Sequence, residues 1–340
     1  MTEDKRLGWF TRLVGDEGRD AGELYRDALA QFVLAEELGF DVGWVAQHHV
    51  DPAEGGLPSP FVFLAHAAAR LSVIRLGTAI VTLGLEDPVR VAEDAAVLDA
   101  LSGGRLELGL GTGGSASAFA LFAQADADRR ALYDNKISRL TAALSGSEIV
   151  DDKRLYPRAT GLLERRWQAT FSVSGAVRAG ESGDGLLLSR TQPREPGLEG
   201  ATLGEVQQPL IEAYREALPA GAKPRIGVSR SVFVADDHEV ALELARRGAL
   251  RFRGYLERLG LADGSESAED ILRDSVVGTP DEVTDLLAAD PAAQQSTDLI
   301  FQVHPIDPDQ AATLHSIELI ATKVAPRLGW NGAYRKESRP

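Results

Sequence analysis

The chain has 340 residues, with 36 lysines and arginines against 51 aspartates and glutamates, so its formal net charge is −15 at pH 7. This acidic balance argues against nucleic-acid binding and against a polybasic membrane anchor, because both need a basic face. Cysteine is absent, which excludes disulfides, thiolate nucleophiles and cysteine-ligated metals. No secretory h-region and no run of about 18 apolar residues occurs, so we expect a cytoplasmic protein without a membrane segment.

Short apolar runs alternate with helical patterns along the chain. Strands are predicted at residues 7–10, 42–46, 74–83, 105–110, 169–173, 185–189, 226–234 and 298–303. Helices are predicted between them, with ends marked by local signals: Gly39 as a C-terminal cap, Asp87-Pro88 and Asp307-Pro308 as helix starts, and Thr279 with Glu282 as a capping box.

The eight strand–helix units predict an α/β fold with a parallel sheet. Eight is the count of a (β/α)8, or TIM, barrel, and an open doubly wound sheet is the competing architecture. We expect one barrel domain over residues 1–340, with irregular insertions after strands 4, 6 and 7 at about 145–166, 191–204 and 262–274. Catalytic side chains of such a barrel lie at the carboxyl ends of the strands. The candidates are therefore residues 9–12, 47–49, 81–86, 111–115, 174–177, 189–192, 229–231 and His304.

A glycine-rich segment, Gly109-Leu-Gly-Thr-Gly-Gly114, follows the fourth predicted strand and fits the G-x-G-x-x-G pattern. The dinucleotide fingerprint belongs to the first strand–helix turn and needs an acidic residue at the end of the next strand. Here three units precede the glycines, and the next predicted strand starts only at residue 169. We favour a strand end without side chains against which a flat ligand lies; a plain glycine-rich loop is the alternative.

Two adjacent histidines, His48 and His49, end the second predicted strand. Neighbouring residues of a strand point to opposite faces, so the two rings cannot easily bind one metal, and we expect no metal site. One ring should face the barrel mouth, where histidine acts as a general base near neutral pH. The alternative is that both histidines are structural.

An anion site is predicted after the fifth strand, where small residues precede a short helix. Backbone N–H groups at a helix N-terminus attract anions, and Ser174 and Arg178 add donors there. Arg190 and Arg194 follow the sixth strand and suit a phosphate or a carboxylate. A plain connection and two solvated arginines are the alternatives.

Several segments resemble the bacterial luciferase-like monooxygenases over nearly the whole chain. They are residues 38–49 (LGFDVGWVAQHH), 74–80 (IRLGTAI), 87–94 (DPVRVAED), 98–105 (LDALSGGR) and 277–282 (VGTPDE). Residues 189–194 (SRTQPR) resemble an FMN-dependent subgroup of that superfamily.

The resemblance implies a TIM barrel that holds FMN across its carboxyl-end mouth. Reduced FMN, supplied by a separate flavin reductase, would react with O2, and the resulting C4a-hydroperoxide would oxygenate a small organic substrate. His48 matches the catalytic base, and Ala79-Ile80 matches a non-prolyl cis peptide beneath the ring. Ser174, Gly175, Ala176 and Val177 match the phosphate-binding turn, and the remaining implied cofactor contacts are Trp9, Gly111, Thr112, Ser189 and Arg190.

Two positions depart from the family pattern. Gln47 stands where a glutamate often precedes the histidine pair, and Thr112 stands where luciferase-type members have an arginine. The phosphate would then take its cation from Arg129, Arg130, Arg178 or Arg190. The resemblance also implies a homodimer formed through the helices at 59–71 and 88–101.

Two other functions stay open. The same barrel could use a deazaflavin for hydride transfer, or it could bind flavin without turnover. The sequence predicts no substrate.

Overall fold

The computed structural model describes residues 5–15, 18–260 and 264–330. Its strands, all in one parallel sheet, are β1 (Arg6–Thr11), β2 (Val42–Val45), β3 (Arg75–Thr78), β4 (Val81–Thr82), β5 (Leu106–Gly111), β6 (Arg166–Ala169), β7 (Gly185–Leu188), β8 (Ile226–Val234), β9 (Ser275–Gly278) and β10 (Asp298–Gln302). β10 pairs with both β8 and β1, so the sheet closes. β3 and β4 occupy one position in the wall, and β9 extends the sheet only beside β8. The result is the predicted eight-stranded α/β TIM barrel.

Helices surround the barrel between successive strands. They are α1 (Ala21–Leu38), α2 (Pro60–Ala68), α3 (Pro88–Leu101), α4 (Ala116–Leu121), α5 (Arg129–Leu144), α6 (Val173–Glu181), α7 (Leu203–Ala217), α8 (His238–Arg258), α9 (Ala268–Leu272), α10 (Pro280–Ala289), α11 (Pro291–Gln295) and α12 (Gln310–Leu319). Within the described residues, no helix combines the length and apolarity that crossing a bilayer requires.

Three predicted helix ends are confirmed by their capping geometry. The Asp87 carboxylate accepts hydrogen bonds from the backbone N–H groups of Val89 and Arg90, at 2.8 and 3.1 Å. Thr279 and Glu282 form the capping box of α10. Gly39 ends α1 with φ 92°, a left-handed conformation that glycine adopts without a Cβ clash.

The fifth barrel strand was predicted at the wrong place. It runs over Arg166–Ala169 rather than residues 169–173, and Val173 already belongs to α6. The error arose because Arg166 and Gln168 look unsuited to a strand. Both side chains reach the buried Asp184 carboxylate, with hydrogen bonds of 2.8 and 2.7 Å, and are satisfied there.

The predicted start of the last helix at Asp307 was also wrong. Asp309 is the residue that caps α12, through a hydrogen bond from the backbone of Ala312. Asp307 adopts φ 42° and places its carboxylate 2.6 Å from Nδ1 of His304. The acidic residue that seemed to start a helix therefore faces a histidine at the end of β10.

The predicted irregular segments contain short elements. Residues Val150 and Lys153 form an antiparallel bridge, and Thr160–Arg165 is a 3₁₀ helix. In the third segment, the described part contains α9 and is followed directly by β9, neither of which was predicted.

The barrel has an apolar interior cluster and a group of paired charges at the amino ends of its strands. Trp44 and Trp167 meet edge to face, with ring centroids 5.9 Å apart. At the amino ends of the strands, the Glu107 carboxylate pairs with Arg6 and Arg75 at 3.0 and 2.6 Å, and Arg6 also pairs with Asp298 at 2.6 Å. These mutually paired charges lie at the amino end, whereas the ligand site of a TIM barrel forms at the carboxyl end.

Candidate functional site

An apolar bed lies at the carboxyl end of the barrel. Ala79, Ile80 and Ala169 are partly exposed and pack against the buried interior cluster that includes Trp44 and Trp167. The peptide bond between Ala79 and Ile80, between β3 and β4, is cis, as the resemblance implied. The bed is small, flat and uncharged, which suits an aromatic ring system.

The glycine-rich segment runs along this bed as part of β5. A Cβ on Gly109 would overlap the backbone carbonyl oxygen of Thr78, and one on Gly111 would come within 2.8 Å of Ile80 Cδ1. The Thr78 hydroxyl donates to the Gly109 carbonyl at 2.8 Å and accepts from its N–H at 2.9 Å. The glycines therefore allow close approach of the wall to the bed, which accounts for them without a dinucleotide.

His48 lies at the barrel mouth and is supported by a carboxylate. Its Nδ1 is 3.3 Å from Oε1 of Glu54, and the Ser115 hydroxyl donates to the other Glu54 oxygen at 3.2 Å. Gly55 lets the loop pack on the imidazole, because a Cβ there would lie 2.6 Å from His48 Cδ2. With Nδ1–H directed at Glu54, the His48 Nε2 lone pair is left to accept a proton.

The charges around His48 favour its neutral form. Burial, together with the positive charge of Arg12, lowers the pKa of His48. Burial opposes the ionisation of Glu54, but the hydrogen bonds from His48 and Ser115 and the charge of Arg12 outweigh it and lower the pKa of Glu54. A neutral imidazole beside an ionised carboxylate is the arrangement of a general base.

We expect the Glu54→Gln substitution to shift the titration of His48 to lower pH. Glu54 raises the pKa of His48 against the effects of burial and Arg12, so its removal lowers that pKa further. The base form then persists to more acidic pH. NMR titration of the imidazole resonances measures this, with His238, which pairs with Glu282 at 2.9 Å, as an internal control that should not move. An unchanged or raised pKa of His48 would contradict the assigned pair.

His49 lies with His48 in the loop after β2, and its side chain has partners of its own. Its Nε2 lies 3.1 Å from the Gln47 amide nitrogen, which also donates to Glu86 at 2.6 Å. Its ring contacts Phe122 edge to face at 4.9 Å. Gln47 therefore belongs to a structural network, and the carboxylate beside His48 is Glu54. Sequence analysis missed Glu54, whose only signal was an acidic side chain in the loop after β2.

The predicted phosphate turn forms the start of α6 rather than a separate turn. Ser172 caps the helix by accepting from the backbone N–H of Gly175 at 3.2 Å, and its hydroxyl lies 3.3 Å from that of Ser174. Ser174 is exposed, Val177 is half-buried, and Gly175 and Ala176 are buried. The exposed hydroxyl and the first N–H groups of the helix can receive an anion.

The structure separates the four arginines that were candidates for the phosphate. Arg129 donates to the carbonyl oxygen of Gly114, at 3.0 Å, just beyond the end of β5. Arg178 is engaged by Gln168 and Asp134, at 3.0 Å each, in the helix layer. Arg130 is exposed. Arg190 lies near Arg12, which follows β1, and β1 is on the opposite side of the barrel from β6. Arg129 is the candidate best placed between β5 and α6.

Of the other implied cofactor contacts, two lie at strand ends and one does not. Thr112 is partly exposed directly after β5, and the partly exposed Ser189 follows β7. The structure does not bring Trp9 to them: its indole is fully buried and donates to Gln31 of α1 at 3.0 Å. Trp9 therefore packs between barrel and helix.

A cavity of about 450 Å³ opens beside the ends of β1 and β10. Its lining includes Arg12, Gln302 and His304 from the barrel and Phe252 and Tyr255 from α8. Burial lowers the pKa of His304 to about 3, so this ring is neutral. The cavity adds a second, polar compartment to the apolar bed.

Known proteins share this sequence and architecture. The family model described as luciferase-like monooxygenase matches residues 5–296. The 4-hydroxyprotoasukamycin monooxygenase of Streptomyces nodosus subsp. asukaensis is 31% identical over 350 residues, covering 96% of this chain and 92% of that protein. The F420-dependent glucose-6-phosphate dehydrogenase of Beutenbergia cavernae is 29% identical over 326 residues, covering 89% and 93%.

A solved structure has the same fold. The oxygenating constituent of 3,6-diketocamphane monooxygenase of Pseudomonas putida, in complex with FMN, superposes with a TM-score of 0.74 at 21% identity, covering 95% of this chain and 98% of that one. The family model spans most of the chain, and a monooxygenase is 31% identical over nearly all of it. The chain belongs to the luciferase-like monooxygenase family.

Proposed function

We propose that the protein is an FMN-dependent monooxygenase that oxygenates a small organic substrate with O2. The observation that carries this proposal is the neutral His48, backed by Glu54, at the mouth that also holds the bed of Ala79, Ile80 and Ala169. Reduced flavin, when bound, supplies the electrons for O2 activation. His48 then takes or returns a proton at Nε2, and the apolar bed excludes water beneath the ring.

The other proposed contacts of the flavin lie around the bed. We assign Gly111 and Thr112 to the edge of the flavin and the first turn of α6, from Ser174 to Val177, to its phosphate. Arg129 supplies the positive charge for the phosphate, because position 112 is a threonine here and not the arginine of luciferase-type members. Its guanidinium is held by the Gly114 carbonyl and lies 4.5 Å from the Phe119 ring centroid, so it is already oriented at the end of β5.

The cofactor assignment predicts a selective binding pattern. Oxidised FMN should bind and lose fluorescence, whereas NADH should not bind tightly, because Gly109 packs against Thr78 and Gly111 against Ile80 instead of cradling a pyrophosphate. In Arg129→Gln, the FMN dissociation constant should rise by about 10-fold or more, as for loss of a charged hydrogen bond. Riboflavin, which lacks the phosphate, should bind the native protein and the Arg129→Gln variant equally. Equal loss of riboflavin and FMN binding would contradict the role of Arg129.

A deazaflavin-dependent hydride transfer is the second candidate, because a relative of 29% identity uses F420. Tight binding of F420 without measurable FMN affinity would favour it and overturn the monooxygenase proposal. Flavin binding without O2 consumption in the presence of reduced FMN would instead indicate a non-catalytic binding protein. We further propose a cytoplasmic location, where a separate flavin reductase supplies reduced FMN.

We also propose a homodimer formed through α2 and α3. Val62 of α2 and Leu101 of α3 are 72% and 68% exposed, and stable dimers of this kind bury roughly 2,000 Å² or more. Sedimentation should show a dimer at micromolar protein and a monomer for the double variant Val62→Asp, Leu101→Asp. Leu286→Asp, on α10 and 54% exposed in the native chain, should leave the dimer intact. A monomeric wild-type protein would contradict the assignment.

A further inference from the structure

We infer that the cavity at the ends of β1 and β10, together with the neighbouring Arg190, binds the carboxylate of the substrate, which makes the substrate a small organic acid held by Arg12 and Arg190. The inference rests on the proposed function and names the substrate class of that site.

Arg12 of the cavity wall and the nearby Arg190 carry unused hydrogen-bond donors. The Nε atoms of Arg12 and Arg190 are buried and have no partner among the described residues. Arg12 donates through Nη2 to the Glu54 carbonyl at 2.9 Å, which fixes its guanidinium at the cavity wall. Burial, and the charge of Arg12, lower the pKa of Arg190 to about 9. An unpartnered buried charge is costly, and a bound anion would relieve that cost.

The nearby carboxylates have other partners. Asp307 lies 2.6 Å from His304 Nδ1, Glu54 pairs with His48, and Asp274 pairs with Arg194 at 2.6 Å. They offset part of the positive charge but do not hydrogen-bond either free Nε–H. Two guanidinium groups that converge from β1 and β7 can therefore each donate to one carboxylate.

Two acceptors in the same compartment refine the substrate class. His304 Nε2 and Gln302 Oε1 are also buried without partners in the described part of the chain. Because Nδ1–H of the neutral His304 faces Asp307, its Nε2 can only accept a hydrogen bond. Gln302 directs its amide nitrogen to Ser229 at 2.8 Å. A hydroxyl next to the substrate carboxylate would donate to one of these atoms, so the site favours a hydroxy acid.

Calorimetric titration of the flavin-free protein tests the inference independently of catalysis. Three probes of one size are compared: phenylacetate, its neutral amide phenylacetamide, and mandelate, which adds a hydroxyl beside the carboxylate. We expect mandelate to bind more tightly than phenylacetate, and phenylacetamide at least about 10-fold more weakly than phenylacetate. Equal affinity for acid and amide, or no binding of either acid at millimolar concentration, would overturn the inference.

The Arg190→Gln variant separates this site from the cofactor site. It should weaken phenylacetate binding about 10-fold or more and leave FMN quenching unchanged. Arg70→Gln, an exposed arginine at the end of α2, controls for the change in net charge and should alter neither. Loss of FMN affinity with unchanged acid binding would assign Arg190 to the cofactor and overturn the inference. If wild-type protein binds the acids but not FMN, the proposed function fails while the acid site stands.

Discussion

His48→Ala should lower O2 consumption by the protein supplied with reduced FMN by about 10²–10⁴-fold, the usual contribution of a general base. FMN affinity should change little, because the phosphate contacts lie at α6 and Arg129 and the ring rests on Ala79, Ile80 and Ala169. The measurement pairs oxygen-electrode rates with FMN fluorescence titration. The His48 imidazole has Glu54 as its ionised partner, so its loss removes proton transfer at this position.

His49→Ala is the matched control for this variant. His49 is buried beside Gln47 and Phe122. Its removal should lower thermal stability while the rate per folded molecule stays near that of the native protein. Equal loss of rate in both variants, or an active His48→Ala protein, would refute the assignment of the base.

Gly109→Ala should lower the free energy of unfolding by about 3 kcal/mol or more, at the upper end for overpacking. The added Cβ would overlap the Thr78 carbonyl oxygen, a backbone atom held in place by the strands on both sides. Moving it would also strain the two hydrogen bonds between the Thr78 hydroxyl and Gly109. Urea denaturation of the two proteins measures the difference.

Gly114→Ala tests the same motif where space is available. A Cβ there meets no atom within 4 Å and the residue is exposed, so stability should change by no more than about 0.5 kcal/mol. If instead both variants folded normally and both altered nucleotide binding, the glycines would act as a ligand loop, and the packing explanation would be wrong.

Much of the barrel could be predicted because local signals and periodicity agree. The strand at Val42–Val45 is a buried run between a helix with a glycine end and a polar loop. Arg166 hid the true position of β6, because its charge is balanced by Asp184, which lies 18 residues later and becomes a neighbour only in the folded sheet. β9 was missed because its four residues show little hydrophobic pattern and depend on the length of β8.

The site was predictable at His48 but not in the groups that tune it. Glu54, Arg12 and Asp307 reach their positions through loop conformations, including positive φ values at Leu13, Val50 and Asp307. No sequence spacing encodes such contacts. The proximity of Arg12 and Arg190 depends on barrel closure, which brings the residues that follow β1 and β7 near one another.

The paired charges of Arg6, Arg75, Glu107 and Asp298 at the amino end have a consequence for the order of events at the other end. Flavin and organic acid therefore both enter and leave at the carboxyl end of the barrel. Because the two sites are lined by different residues, each ligand should bind without the other. Kinetics with flavin and an organic acid should accordingly follow a random order of binding rather than a compulsory one.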